Sequence, residues 1–228
     1  MMQWCTRAPS IEDDVALANI ALDLLGQARL LLGRAGELEG AGRDEDALAM
    51  RRDEHEFHNV LLVELDNGDF AVSVAKLLCF SLYQRLLYER LSASADAVLA
   101  GVAQKAAKET VYHVDYAAGW VVRLGDGTTE SAARMLSAVE EIWPYTSELF
   151  ADDEVSSAAA ADGLGIAPST LREPWSQAVD EVLAEARLPR PPDGWRPAGG
   201  RAGAHTEAFG YLVGEMQVLH RAHPGASW

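Results

Sequence analysis

The sequence predicts an all-α protein: an antiparallel four-helix bundle with additional C-terminal helices. Three observations carry this. Apolar residues recur three and four apart, as at Leu99, Val102, Ala106, Tyr116, Ala117, Trp120 and Leu124, which is the period of one helix face. No stretch of useful length alternates apolar and polar residues as a half-buried strand would. Four long helical segments follow one another with short turns between them, the pattern of antiparallel neighbours. The chain has 228 residues, 49% of them hydrophobic, enough for one large domain with a sizeable core. The expected organisation is a single domain over residues 1–228, with a bundle core over 11–124 and a helical extension over 128–228.

The first helix spans 11–36. Ser10 caps it, and Glu12, Asp13 and Asp14 stand in its first turn, where the helix dipole favours acids. Val15, Leu17, Ile20, Leu22, Leu24, Leu25, Leu30, Leu31 and Leu32 lie on nearly all sides, so burial on most sides is expected. Asn19, Asp23 and Gln27, each four residues on, form a polar row that must find partners. A second helix is expected over 44–65, with Met50, Glu54, Phe57, Leu61 and Leu65 in one row. Asp66-Asn67-Gly68-Asp69 is a turn. The third helix fits 70–91 and the fourth 95–124, ending at Gly125-Asp126-Gly127. Thr128 caps a fifth helix to residue 150, which Pro144 kinks or splits after Trp143. A small helix fits within 151–167. A sixth spans 168–187 with Trp175, Val179, Val182 and Leu183 inward, and a last helix covers 205–221. The Pro-, Gly- and Arg-rich loop 188–204 is long for a compact domain, so it is functional or wraps a neighbour.

The net charge of −16 argues against nucleic acid and anionic membrane as partners. Cys5 and Cys79 lie far apart in no metal-type spacing and read as reduced thiols of a cytoplasmic protein. No run of about 18 apolar residues suggests a membrane span, and the N-terminus has no signal-peptide pattern.

A bundle of this kind invites a test for a di-iron centre. Ferritin-like carboxylate sites need an acid from each of two helices and Glu-x-x-His from each of the other two. The first helix offers Asp23. The second offers Glu54, with Phe57 in the histidine position. The third offers no mid-helix carboxylate, and Gln84 is its nearest polar group. The fourth offers Glu109, with Tyr112 in the histidine position and His113 one place further on, turned by about 100° from the required direction. Two glutamates thus stand where ligands would stand, and aromatics fill both histidine positions. The expectation is a ferritin-like bundle with a decayed metal site and no metal of its own. Asp23, Glu54 and Glu109 would then be held by one another, by Gln27 or Gln84, or by Arg51 or Lys108. One weakly held ion is the open alternative.

Gly199-Gly200-Arg201-Ala202-Gly203-Ala204-His205 precedes the last helix, with Arg196 nearby. Its backbone N–H groups and arginines suit a phosphate or a partner's carboxylate. The competing reading is a Gly-rich helix start, because one Gly-rich loop is a weak motif. Trp195 and Trp228 are the aromatic residues best placed for an interface.

Several stretches are similar to the C subunits of the bacterial ring-1,2-phenylacetyl-CoA epoxidases. They are EDDVALANIALDLLGQAR at 12–29, RRDEHEFHN at 51–59, ELDNGDF at 64–70, KETVYH at 108–113, WVVRLGDGT at 120–128 and GGRAGAHTE at 199–207, with Glu215-Met216-Gln217 through Trp228. The resemblance runs from about residue 4 to the end. It implies a ferritin-like, non-catalytic subunit without cofactors. A sister catalytic subunit of the same fold would carry the di-iron centre. A reductase with flavin and an iron–sulfur cluster would supply electrons from NADPH, and small subunits would complete the complex. The implied reaction is epoxidation of the aromatic ring of phenylacetyl-CoA in phenylacetate degradation. Members also carry a helix ahead of the Trp4-Cys5 region, where this sequence has almost nothing. Two rival functions stand beside this: a divergent di-iron oxygenase using Asp23, Glu54, Glu109 and His113, and a CoA-thioester-binding helper gripping phosphates with residues 196–205.

Overall fold

The computed structural model describes residues 2–226. Among them are eight α-helices and no strand: α1 (Ile11–Glu39), α2 (Glu45–Met50), α3 (Phe70–Leu91), α4 (Ala97–Gly125), α5 (Thr129–Ile142), α6 (Glu154–Ala161), α7 (Arg172–Glu185) and α8 (Glu207–Ala222). Trp228 lies outside the described residues.

α3 and α4 form the central antiparallel pair. Phe70 at the start of α3 meets Trp120 near the end of α4 edge-on at 4.9 Å, while Tyr88 at the far end of α3 packs with Ala103 and Ala106. α1 lies along α4, and α5 packs against both α3 and α4. Met135, Ala138, Val139 and Ile142 of α5 join the core of α3 and α4, as do Trp175, Val179 and Leu183 of α7. The all-helical architecture agrees with a ferritin-like bundle. Its core, however, extends beyond residue 124.

The caps follow the sequence. Ser10 accepts from Asp13 N, and Asp69, Asp96 and Thr128 cap α3, α4 and α5. α5 stops at Ile142, and the Pro144 segment continues as a 3₁₀ stretch, Trp143–Phe150.

The expected helix over 44–65 is the main departure. α2 ends at Met50, and short 3₁₀ turns follow at Glu54–Glu56 and Leu61–Glu64. The reason is tertiary. Gln217 Nε2 of α8 donates to the carbonyls of Ala49 and Arg52, and Arg221 donates to those of Arg51 and Arg52. These side chains satisfy carbonyls that a helix would have used internally. The extended chain beyond them buries Val60, Leu61, Leu62 and Glu64.

α1 also departs from expectation. It is not buried on most sides: Ile11, Val15, Leu22, Leu25, Leu30 and Leu38 are exposed. By length and composition both α1 and α3 could cross a membrane, against the expectation that no stretch would. α3 is largely buried in the bundle, whereas α1 lies mostly on its surface.

Cys79 is buried in α3, and burial pushes its thiol up to about 12. Cys5 is half-buried. A thiol reagent is expected to titrate one cysteine in the native chain and both in denaturant. Two fast-reacting thiols in the native state would contradict this packing.

Candidate functional site

The polar residues of α1 meet α4 along one seam. At its lower end, Asp13 Oδ1 accepts from Tyr116 Oη at 3.0 Å and Trp120 Nε1 at 2.8 Å, and Oδ2 accepts from Ser10 Oγ at 2.8 Å. Burial, reinforced by this carboxylate, pushes the Tyr116 phenol above its ordinary range. Three turns on, Asp23 Oδ2 lies 3.0 Å from His113 Nε2. One turn further, Gln27 Nε2 donates to Glu109 Oε2 at 2.9 Å, and Gln27 Oε1 accepts from Tyr88 Oη of α3 at 3.0 Å. Lys105 closes on the other Glu109 oxygen at 3.2 Å. At the far end Arg34 grips Asp96 through two nitrogens, at 3.0 and 2.8 Å. Asn19, the remaining member of the predicted polar row, faces solvent.

Residues with ligand chemistry are therefore present but engaged. Asp23 is tied to His113, and Glu109 is held from two sides. Gln84 is buried, and its Oε1 has no protein partner. The same holds for His113 Nδ1 and Ser81 Oγ. Among the described residues no three of His, Cys, Asp and Glu converge as metal ligands would. This donor set does not fit a two-iron cluster.

Three predicted positions fall elsewhere. Tyr112 does not occupy the interior in place of a histidine. It is exposed and stacks on Tyr116 with ring centres 6.5 Å apart, while His113 points inward. Helix phase decides this: the inward face of α4 runs through Thr110, His113, Val114 and Ala117, and Tyr112 lies off it. Glu54 and Phe57 are not on a bundle helix. Glu54 packs against Gly210 of α8. Phe57 meets Phe209 edge-on at 5.5 Å beneath the Arg52 guanidinium.

The Gly-rich loop carries a second polar cluster. Glu148 is buried and accepts from the backbone N–H of Leu61 at 2.7 Å, Gly199 at 2.9 Å and Arg201 at 3.4 Å. The anion expected at Gly199-Gly200-Arg201 is thus the chain's own carboxylate. Arg201 reaches Asp153 at 3.3 Å, and exposed Arg196 pairs with Asp193. Gly200 is needed because a Cβ there would lie 2.3 Å from the Asn59 carbonyl oxygen. Gly203 has φ +80°, and its Cβ would meet the His55 carbonyl at 2.5 Å.

His205 is fully engaged beside it. Its Nδ1 lies 2.6 Å from Glu64 Oε1 and its Nε2 2.9 Å from the Phe57 carbonyl. Glu64 also accepts from Asn59 Nδ2 and Thr206 N. Sequence reasoning missed Glu64, Glu148 and the buried role of Asp13. A lone acid inside an apolar run, as in Leu61-Leu62-Val63-Glu64-Leu65, was the available signal for Glu64.

The family described as phenylacetic acid catabolic protein matches residues 1–228. The C subunit of the 1,2-phenylacetyl-CoA epoxidase of Escherichia coli is 45% identical over 226 residues, covering 99% of this chain and 91% of that protein. The whole-length match and this identity place the chain in the phenylacetic acid catabolic protein family.

Proposed function

We propose that the chain is a structural subunit of a cytoplasmic phenylacetyl-CoA epoxidase in phenylacetate degradation. In this reading it holds no metal. It supports a sister subunit of the same fold that carries the di-iron centre, alongside a reductase and small subunits. The observation that carries the reading is the engagement of Asp23, Glu109 and His113 in side-chain pairs across α1 and α4. The name of the Escherichia coli relative, a subunit of an epoxidase, supports the heteromeric part. The rival CoA-binding reading loses support because Glu148 already occupies the N–H groups of the Gly-rich loop.

Iron analysis of the purified chain tests this. Iron well below one equivalent is expected, unchanged by Glu109→Ala. Two irons per chain, lost in Glu109→Ala, would sink the reading and favour an oxygenase in its own right.

A further inference from the structure

α1 leaves an apolar stripe uncovered. Ile11, Val15, Leu22 and Leu25 are 74%, 56%, 60% and 56% exposed. With Ala18 they recur at alternating four- and three-residue intervals, the seam spacing by which one helix packs lengthwise along another. From Ile11 to Leu25 the stripe runs roughly 20 Å.

Ala21, one turn before the stripe residue Leu25, and Leu24 turn from the stripe toward a groove of about 530 Å³. Ala21 and Leu24 of α1 form one wall, and Leu212 and Met216 of α8 form the other, with the 63–67 turn between them. Leu212 and Met216 are themselves exposed. A row of exposed apolar residues of this length marks a binding face.

Charge selects the occupant. Asp66 and Glu215 are exposed at the groove, and Glu12 is exposed beside the stripe. Among the described residues, the only lysine or arginine lining the groove is Lys76, which is buried. Its ammonium is committed to the carbonyls of Leu65 at 2.5 Å and Asp66 at 3.3 Å and to Asn67 Oδ1 at 3.4 Å. A second copy of a chain with net charge −16 would meet like charge here, as would an anionic lipid surface.

We propose that this face is covered by an amphipathic helix of another subunit of the complex. That helix is apolar along one side and carries Lys or Arg on the edge that meets Asp66 and Glu215. The inference rests on the subunit reading above and adds the surface and the chemistry of its partner.

The test is co-expression of the tagged full-length chain with the other epoxidase subunits of its source, with capture at low and high salt. Leu22→Asp/Leu25→Asp is expected to keep wild-type circular dichroism and melting, because both side chains are exposed, and to reduce capture from stoichiometric to background. Asp66→Lys/Glu215→Lys is expected to weaken capture at low salt and flatten its salt dependence. Val155→Asp, at an exposed position of α6, is expected to capture normally.

Stoichiometric capture by both double variants would overturn the surface while leaving the subunit reading intact. Wild-type chain that captures no epoxidase subunit would overturn the subunit reading itself, and this proposal with it. Two other results would replace the occupant: a wild-type dimer in sedimentation that the leucine variant dissolves, or wild-type chain floating with phosphatidylcholine vesicles where that variant does not.

Discussion

Glu148→Ala is expected to lower the unfolding free energy by roughly 3–5 kcal/mol, since a buried donor left without its acceptor costs about 1–3 kcal/mol. The carboxylate holds Leu61 N–H through one oxygen and the N–H groups of Gly199 and Arg201 through the other. Alanine offers none of them an acceptor, and the close backbone contact of Gly200 with Asn59 leaves no room for the loop to shift inward. Glu148→Gln separates the two halves of the effect. It keeps one oxygen for Gly199 and Arg201 but turns an amide N–H₂ toward Leu61 N–H, a cost of roughly 1–3 kcal/mol. Urea unfolding of the three proteins measures this, and amide exchange at Leu61, Gly199 and Arg201 locates it. Equal stability of the alanine variant and the wild type would show that the cluster contributes nothing.

Asp13→Ala is expected to cost roughly 2–3 kcal/mol, in the range for hydrogen bonds to a charged group. Asp13 is buried and is the shared acceptor for Tyr116 Oη and Trp120 Nε1. Both rings are half-buried, so water partly replaces the lost acceptor and the cost stays below that of Glu148→Ala. The local signature is faster amide exchange in the first turns of α1, together with a change in Trp120 fluorescence. Asp13→Asn keeps one oxygen acceptor and is expected to fall between. A variant with unchanged exchange along α1 would mean that other contacts hold this helix.

Much of the fold was legible because local signals agreed with tertiary demands. The residue 70–91 helix was read to its end residues, since Asp69 supplies a cap and the apolar spacing is unbroken. The break at Pro144 was legible, expected after Trp143 and found after Ile142, because proline cannot continue a helix with normal bonding. Residues 44–65 were misread for the opposite reason. Their helical spacing is real, but the groups that override it, Gln217, Arg221, His205 and Glu148, lie 87 or more residues from their partners in the chain. Pairing of Asp23 and Gln27 was foreseen as a need, though not with His113 and Tyr88 as partners. The wrong placement of Tyr112 came from treating a ligand motif as a guide to helix phase, when the buried positions Thr110, His113, Val114 and Ala117 set the inward face.

The capping of α2 by Gln217 and Arg221 has a consequence for how the chain folds. The bonds joining 49–64 to the C-terminal region span sequence separations of 87 at Leu61–Glu148, 143 at His58–Arg201 and 168 at Ala49–Gln217. Closing such long loops costs entropy before any contact returns it. On the ribosome, residues 51–64 emerge well before α8 exists to receive them. Leu62 joins the bundle core, but Leu61 must wait for Glu148 to take its N–H and for Gly200 to pack beside its side chain. This stretch is therefore where the nascent chain most needs shielding from aggregation.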